Sequence, residues 1–394
     1  MELTFRKRGK YWQYSFEVAR IDGKRKRVYK SGFRTKGEAA KAGTEALNEY
    51  MNSGIAFRPK DSSVADFLEE WLDNVSKTKR LNTFLSYKLL CDNHIIPNFG
   101  KYKMNAISTL SLQTFFNQNA NNLSLATLKS IKRILSVAFN WAIDMDYIKS
   151  NPINRVKLPV IKETESLYKH IYISPEEFKK IVDMFKNTAY IVPYMIAYHT
   201  GMRVGEVLGL QWKNIDFEKH EIYVCSNFQR YYLKGFNDSA TLSAPKTSSS
   251  ERTIVISDFL NDFLKERYCE IQKNKGKYQN FYTHYYLDGE KHIVTNNNGG
   301  LDEIDLVCVR DDGSYISRSS LKDTYKKVRD TLKIKNFDFH SLRKTHCTEL
   351  ISRGANIKDV QKRLGHKDIT MTLKVYTEVT AEMTSKTKSI LNEL

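Results

Sequence analysis

Polar and apolar positions alternate with a period of two near the start of the chain, at Leu3–Arg8, Tyr11–Arg20 and Arg25–Ser31, with the turn-like pieces Arg8-Gly9-Lys10 and Asp22-Gly23 between them. Three short antiparallel strands are expected. The period then lengthens. Thr35 stands three residues before Glu38, the spacing of a capping box, ahead of Ala39, Ala42, Ala46, Leu47, Tyr50 and Met51 at helical intervals. Gly43 weakens that helix. The first unit therefore reads as a three-stranded sheet packed on one helix.

After a link at Ser53–Ser62 containing Pro59, the pattern is helical almost throughout. Val64, Phe67, Leu68, Trp71, Leu72 and Val75 form one apolar stripe, and further helices are expected near Asn82–Ile95, Thr109–Asn119 and Ser124–Tyr147. Ile131, Leu135, Ala138, Trp141 and Ala142 share one side of the last, which Asn151-Pro152 stops. This describes a small bundle of about four helices.

A second link, about Lys157–Tyr172, precedes Ser174-Pro175 and Glu177, which mark a helix start and a new domain. Ala189–Tyr198 and Arg203–Leu210 read as helices, Trp212–Ile256 as β-rich with Ile222-Tyr223-Val224 and Ile254-Val255-Ile256 its clearest strands. Helices follow at Ser319–Leu332, Ser341–Ser352 and Lys358–Leu364, and the tail after Tyr376 is expected to be helical. Tyr278–Gly300, with Asn296-Asn297-Asn298-Gly299-Gly300, reads as an irregular insertion.

Composition narrows the class. The 394 residues include 63 Lys plus Arg against 45 Asp plus Glu, a formal charge of +18, and 41% apolar content is enough to build real cores. The excess divides as +9 in residues 1–60, +4 in 61–160 and +5 in 161–394. A polyanion partner, most commonly nucleic acid, is implied. Arg6, Arg8, Lys10, Lys24, Arg25, Lys26 and Arg27 cluster on the first strands and turns, and Lys77, Lys79, Arg80, Lys132 and Arg133 lie on the helical bundle. Both sets are candidate DNA contacts. No apolar run long enough to span a membrane and no secretion signal is present, so a cytoplasmic chain is expected. The five cysteines (Cys91, Cys225, Cys269, Cys308, Cys347) contain no C-x-x-C, which argues against a disulfide framework and a zinc ribbon.

The chain lacks a G-x-x-x-x-G-K-[ST] phosphate loop, H-E-x-x-H and G-x-S-x-G, so ATP-driven and zinc-dependent chemistry is disfavoured. A metal site from His340, His346 and His366 lacks any carboxylate or cysteine partner at ligand spacing. His346 and His199 read as structural. The second half instead carries an ordered series: His199-Thr200-Gly201-Met202-Arg203-Val204-Gly205-Glu206, Pro245-Lys246-Thr247 before a strand, His340-Ser341-Leu342-Arg343, Leu364-Gly365-His366, and Tyr376. His340 and Arg343 are three apart, and His366 stands ten before Tyr376.

This order resembles the signature of the tyrosine recombinase (phage integrase-like) family, most closely the integrases of conjugative transposons and temperate phages. The resemblance spans almost the whole chain. It implies a multidomain fold, mainly α with small β-sheets: residues 1–55 an arm-type DNA-binding sheet with a helix, 62–157 a helical, SAM-like core-binding domain, and 170–394 an α+β catalytic domain with its tail. By resemblance, Tyr376 attacks the scissile phosphate and leaves a 3′-phosphotyrosyl enzyme with a free 5′-hydroxyl. Arg203 and Arg343 then neutralise the phosphate, Lys246 serves as acid for the 5′ oxygen, and His340 and His366 assist.

Residue chemistry supports the pairing independently, since guanidinium gives planar, bidentate donation to phosphate oxygens and keeps its charge. Glu206, one turn after Arg203, could orient it, the alternative being an ordinary surface i,i+3 pair. Because bond energy is kept in the covalent ester, neither ATP, a metal nor another cofactor is required. The resemblance also implies double-stranded DNA with core-type and arm-type sites as partner, and a tetramer on two duplexes. An excisionase and a host DNA-bending protein usually accompany the family, a bacterial nucleoid location follows, and the tail Thr377–Leu394 is expected to pack on a neighbouring protomer. A type IB topoisomerase-like nicking-closing enzyme would use the same residues, and a non-catalytic architectural protein would share only the charge.

Overall fold

The computed structural model describes residues 2–21, 24–53, 62–160, 171–231, 239–244, 251–289, 292–295 and 300–365. The chain separates into two compact units, Met1–Glu163 and Thr164–Leu394. In the first, β1 (Thr4–Arg8), β2 (Tyr11–Ile21) and β3 (Lys24–Phe33) form an antiparallel sheet in the order β1-β2-β3. Phe5 opposes Tyr14 and Phe16 opposes Val28, and this face packs on Ala46 and Tyr50 of α1 (Lys36–Ser53). The expected capping box is present, with the Glu38 amide donating to Thr35 Oγ1 at 3.2 Å and the Thr35 amide to the Glu38 carboxylate at 3.4 Å. Gly43 has a packing reason: a Cβ there would stand 3.0 Å from the Tyr14 side chain.

The same unit holds a helical bundle of α2 (Val64–Thr78), α3 (Leu81–Leu90), the single turn α4 (Ile96–Phe99), α5 (Thr109–Gln118) and α6 (Leu125–Asp144). All six residues of the apolar stripe on α2 are buried, each contributing about 1.5–3 kcal/mol. The helix expected at Asn82–Ile95 runs on from α3 through a π-helical turn at Cys91–Ile95. Serines 63, 108 and 124 cap α2, α5 and α6, each accepting a backbone N–H.

In the second unit, α7 (Pro175–Phe185) begins with the expected Ser174/Glu177 capping box, and α8 (Ile191–Thr200) is buried along most of its length. Then come α9 (Val204–Leu208), β4 (Ile215–Asp216), β5 (Glu221–Val224), β6 (Asn227–Tyr231), β7 (Ser239–Ser243) and β8 (Arg252–Val255). The 21-residue helix α10 (Asp258–Tyr278) leads into β9 (Tyr285–Leu287), β10 (His292–Val294) and β11 (Asp302–Ile304). The unit closes with α11 (Arg318–Leu332), α12 (Phe339–Ser352) and α13 (Ile357–Leu364).

Two sheets result, β4-β5-β8 and β11-β9-β10-β7-β6. The second corrects the reading of Tyr278–Gly300 as irregular, because β9 and β10 lie inside it. Their three residues each are too few to show a period, and β10 is held by pairing with the distant β7, His292 opposite Thr241. Among the described residues, no helix is long and apolar enough to cross a membrane.

Candidate active site

Arg203 is the N-cap of α9, with an extended backbone at φ −70° and ψ 151°, and its side chain reaches Glu206 in the helix it starts. Gly201, two residues earlier, adopts the left-handed conformation at φ +68°, and a Cβ there would stand 2.6 Å from Leu364 and 2.8 Å from the His346 ring. The glycine in His199-Thr200-Gly201-Met202-Arg203 thus allows the end of α8 to lie against α12 and α13.

Arg343 sits in the second turn of α12, behind the N-cap Asp338, whose carboxylate accepts the Ser341 amide at 2.8 Å. Arg203 and Arg343, 140 residues apart in sequence, meet on consecutive carbonyls at the end of α13. Arg343 Nη2 donates to Leu364 O at 2.8 Å, and Arg203 Nη2 to Gly365 O at 2.9 Å. Carbonyls at a helix C-terminus lack intrahelical donors and carry the negative end of the dipole, so two guanidinium groups satisfy both needs. Gly365, left-handed at φ +65°, ends the helix. Arg343 Nη1 also donates to Gly201 O at 2.7 Å. Arg343 is 3% exposed, whereas the Arg203 side chain is 38% exposed and has an edge turned to solvent.

Glu206 lies at the centre of the charges. Its carboxylate accepts the Arg203 amide at 2.9 Å, Arg203 Nη1 at 2.8 Å, Arg252 Nη2 at 2.9 Å and Arg252 Nη1 at 3.4 Å. This is a buried bridge rather than a surface i,i+3 pair. Burial by itself pushes the Glu206 carboxyl up, but the hydrogen bond and charge of Arg252, then Arg203, hold it below the ordinary carboxylate value. Burial pushes the Arg343 guanidinium down to about 9, aided by the positive charge of Arg203 and opposed by Glu206.

Arg252 and Arg363 are absent from the sequence-derived site. Arg252 Nε donates to Arg363 O at 2.5 Å, while Arg363 donates to His346 Nε2 at 3.0 Å, Val255 O at 2.7 Å and His199 O at 3.2 Å. Alternation in β8 puts Arg252 on the same buried side as Ile254, and a cation on a core-facing strand position requires a buried acid. That requirement is legible in sequence. His346 is structural as expected: Nδ1 donates to Tyr198 O at 2.9 Å and Nε2 accepts from Arg363, so the ring is neutral. Burial and the Arg363 charge push its pKa down to about 3. His199 is likewise pushed down by burial.

His340 opens α12 and is exposed, three residues before Arg343. Lys246, His366, Tyr376 and the tail Thr377–Leu394 lie outside the described residues. In sequence, Lys246 precedes Arg252 by six positions and His366 follows Gly365 directly.

Of the candidate DNA contacts, Arg6, Arg8 and Arg27 fall on the sheet face opposite α1, because their cross-strand partners are Gln13, Tyr11 and Glu17. Lys26 opposes Val18, on the helix side, and is exposed, as is Lys10. The side chains of Lys24 and Arg25 lie outside the described set. On the bundle, Lys79, Arg80 and Arg133 are exposed, Lys77 pairs with Asp73 at 2.6 Å, and Lys132 is drawn inward to Val156 O at 2.6 Å.

Residues 172–383 match the model of the Phage integrase family. The chain belongs to the phage integrase family. Residues 63–119 of this integrase match the N-terminal SAM-like domain of phage integrases and residues 4–50 an Arm DNA-binding domain. It is 30% identical over 405 residues to a tyrosine recombinase XerC-like protein of Caldanaerobacter subterraneus subsp. tengcongensis, covering 100% of this chain and 99% of that one. Its fold is similar to the Tn1549 transposon integrase in complex with a circular intermediate DNA, at TM-score 0.63 and 21% identity over 84% of this chain and 99% of the other. A lambda integrase tetramer bound to a Holliday junction matches at TM-score 0.54 and 17% identity, covering 93% and 92%. This chain is therefore a tyrosine recombinase of the integrase type, and its relatives include integrases of mobile elements.

Proposed function

We infer that this integrase cuts and rejoins DNA through a 3′-phosphotyrosyl ester on Tyr376. The observation that carries the reading is the convergence of Arg203 and Arg343 on Leu364 O and Gly365 O, one residue before His366. In the proposed step the Tyr376 oxygen attacks phosphorus, the bond from phosphorus to the 5′ oxygen breaks, and Lys246 gives that oxygen a proton. The phenol proton leaves to solvent or a neighbouring base. Arg203 and Arg343, with His340 and His366, stabilise the five-coordinate phosphorane. The ester then passes the phosphoryl group to another 5′-hydroxyl, regenerating Tyr376. Neither ATP nor a metal ion enters this balance.

Residues 1–55 are proposed to bind arm-type DNA through Arg6, Arg8 and Arg27, with Lys10, Lys24, Arg25 and Lys26 at the strand ends. Residues 62–157 would hold core-type DNA through Lys77, Lys79, Arg80 and Arg133, and residues 170–394 would cleave it. Lys132, committed to Val156 O, is better placed to fix the bundle than to reach DNA. Four protomers on two duplexes would exchange strands, with an excisionase and a host DNA-bending protein as accessory partners. A nicked duplex that sheds its 5′-hydroxyl fragment on cleavage tests the reading: a covalent protein–DNA adduct in EDTA is expected, and binding without any adduct would reject it.

A further inference from the structure

We propose that Arg252 is a positioning residue for cleavage, holding Glu206 so that Glu206 can hold Arg203. The proposal rests on the phosphotyrosyl reading above.

Arg252 and Glu206 have side chains only 4% exposed, so neither can exchange its partner for water. A carboxylate offers about four acceptor positions. In Glu206 all four are taken, two by Arg203 and two by Arg252. Arg203 and Arg252 both bind this one carboxylate, and Arg343, held on the neighbouring carbonyls, adds a third positive charge to the cluster, so Arg203 holds its place against two like charges.

Remove the Arg252 fork and half of the Glu206 acceptor positions lose their donors. The satisfying rearrangement is for Arg203 to turn both terminal nitrogens onto Glu206, which withdraws Nη2 from Gly365 O and changes the edge that Arg203 presents to a phosphate. The third nitrogen of the fork, Nε, binds Arg363 O, the carbonyl directly before the two that hold both arginines. Lysine cannot replace this arrangement, because a single ammonium lacks the planar fork that serves a carboxylate and a carbonyl together.

The experiment is single-turnover adduct formation on the nicked duplex with full-length protein, alongside DNA affinity and thermal melting. Arg252→Lys is expected to lower the adduct rate roughly tenfold and Arg252→Gln roughly 10²-fold, with the Kd for duplex within about twofold of the parent. In a Glu206→Gln background, Arg252→Lys is expected to add less than about twofold, since a residue acting through Glu206 has nothing further to position. A wild-type rate for Arg252→Lys, or an equal loss in both backgrounds, would overturn the proposal. If Arg252→Gln does not fold, Arg252→Lys decides alone. Absence of adduct from the parent protein would reject the phosphotyrosyl reading and is thus distinct from failure of the Arg252 assignment.

Discussion

Glu206 sets a pH signature that can be read without DNA. Its carboxyl is held below the ordinary value, so its contribution to stability is present above the unfolded pKa of about 4.3 and is lost as pH falls through the folded pKa. Glu206→Gln is expected to lower unfolding free energy at pH 7 by about 3–5 kcal/mol, because it removes the anion between buried cations. The difference from the parent should shrink below pH 4, as the parent carboxyl itself becomes neutral; this is measured by denaturant unfolding at both pH values. A constant difference would show that the Gln variant loses packing rather than charge. At this scale Arg203, Glu206 and Arg343 were legible because motif spacing fixes them. Arg252 and Arg363 were not singled out: alternation in the strand puts Arg252 on a buried side, but its partner Glu206 lies 46 residues away, and Arg363 reaches Val255 O and His199 O more than 100 residues away.

At the scale of elements, the junction of α8, α12 and α13 brings Arg203 and Arg343 together. Gly201 combines a left-handed backbone with the close approach of Leu364 and His346, so Gly201→Ala meets both a conformational cost and a clash. The expected outcome is a loss of at least about 2 kcal/mol in unfolding free energy, together with a slower adduct rate. A variant of parental stability would show that α13 can shift freely. The starts of α1 and α7 were legible in advance because Thr35 and Ser174 are local caps. The three-residue strands β9, β10 and β11 were not, because they are too short to show a period and β10 joins the larger sheet by pairing with the distant β7, as His292 with Thr241.

At the scale of the whole molecule, the +18 charge is unevenly distributed along the chain. The first sixth of the chain holds +9, while the catalytic half relies on placement, with one buried carboxylate balancing part of an arginine cluster. Deleting residues 1–55 is expected to leave cleavage of core-site DNA within a few-fold of the parent while lowering integration by about tenfold or more, because phosphate contacts of the arm add affinity without touching the reacting bond. Loss of core cleavage by a folded truncation would contradict the division of labour. The family, and with it the chemical class, was readable from the order of the motifs.

The central claim is that Tyr376 becomes covalently joined to DNA. The direct measurement is denaturing gel electrophoresis of the parent and Tyr376→Phe proteins after reaction with the nicked duplex, followed by mass spectrometry of the nuclease-trimmed adduct. The account expects a DNA remnant on the peptide containing Tyr376 in the parent, and unaltered duplex binding with no adduct in the Phe variant. An adduct of parental yield from Tyr376→Phe, or a remnant mapped to another residue, would contradict it.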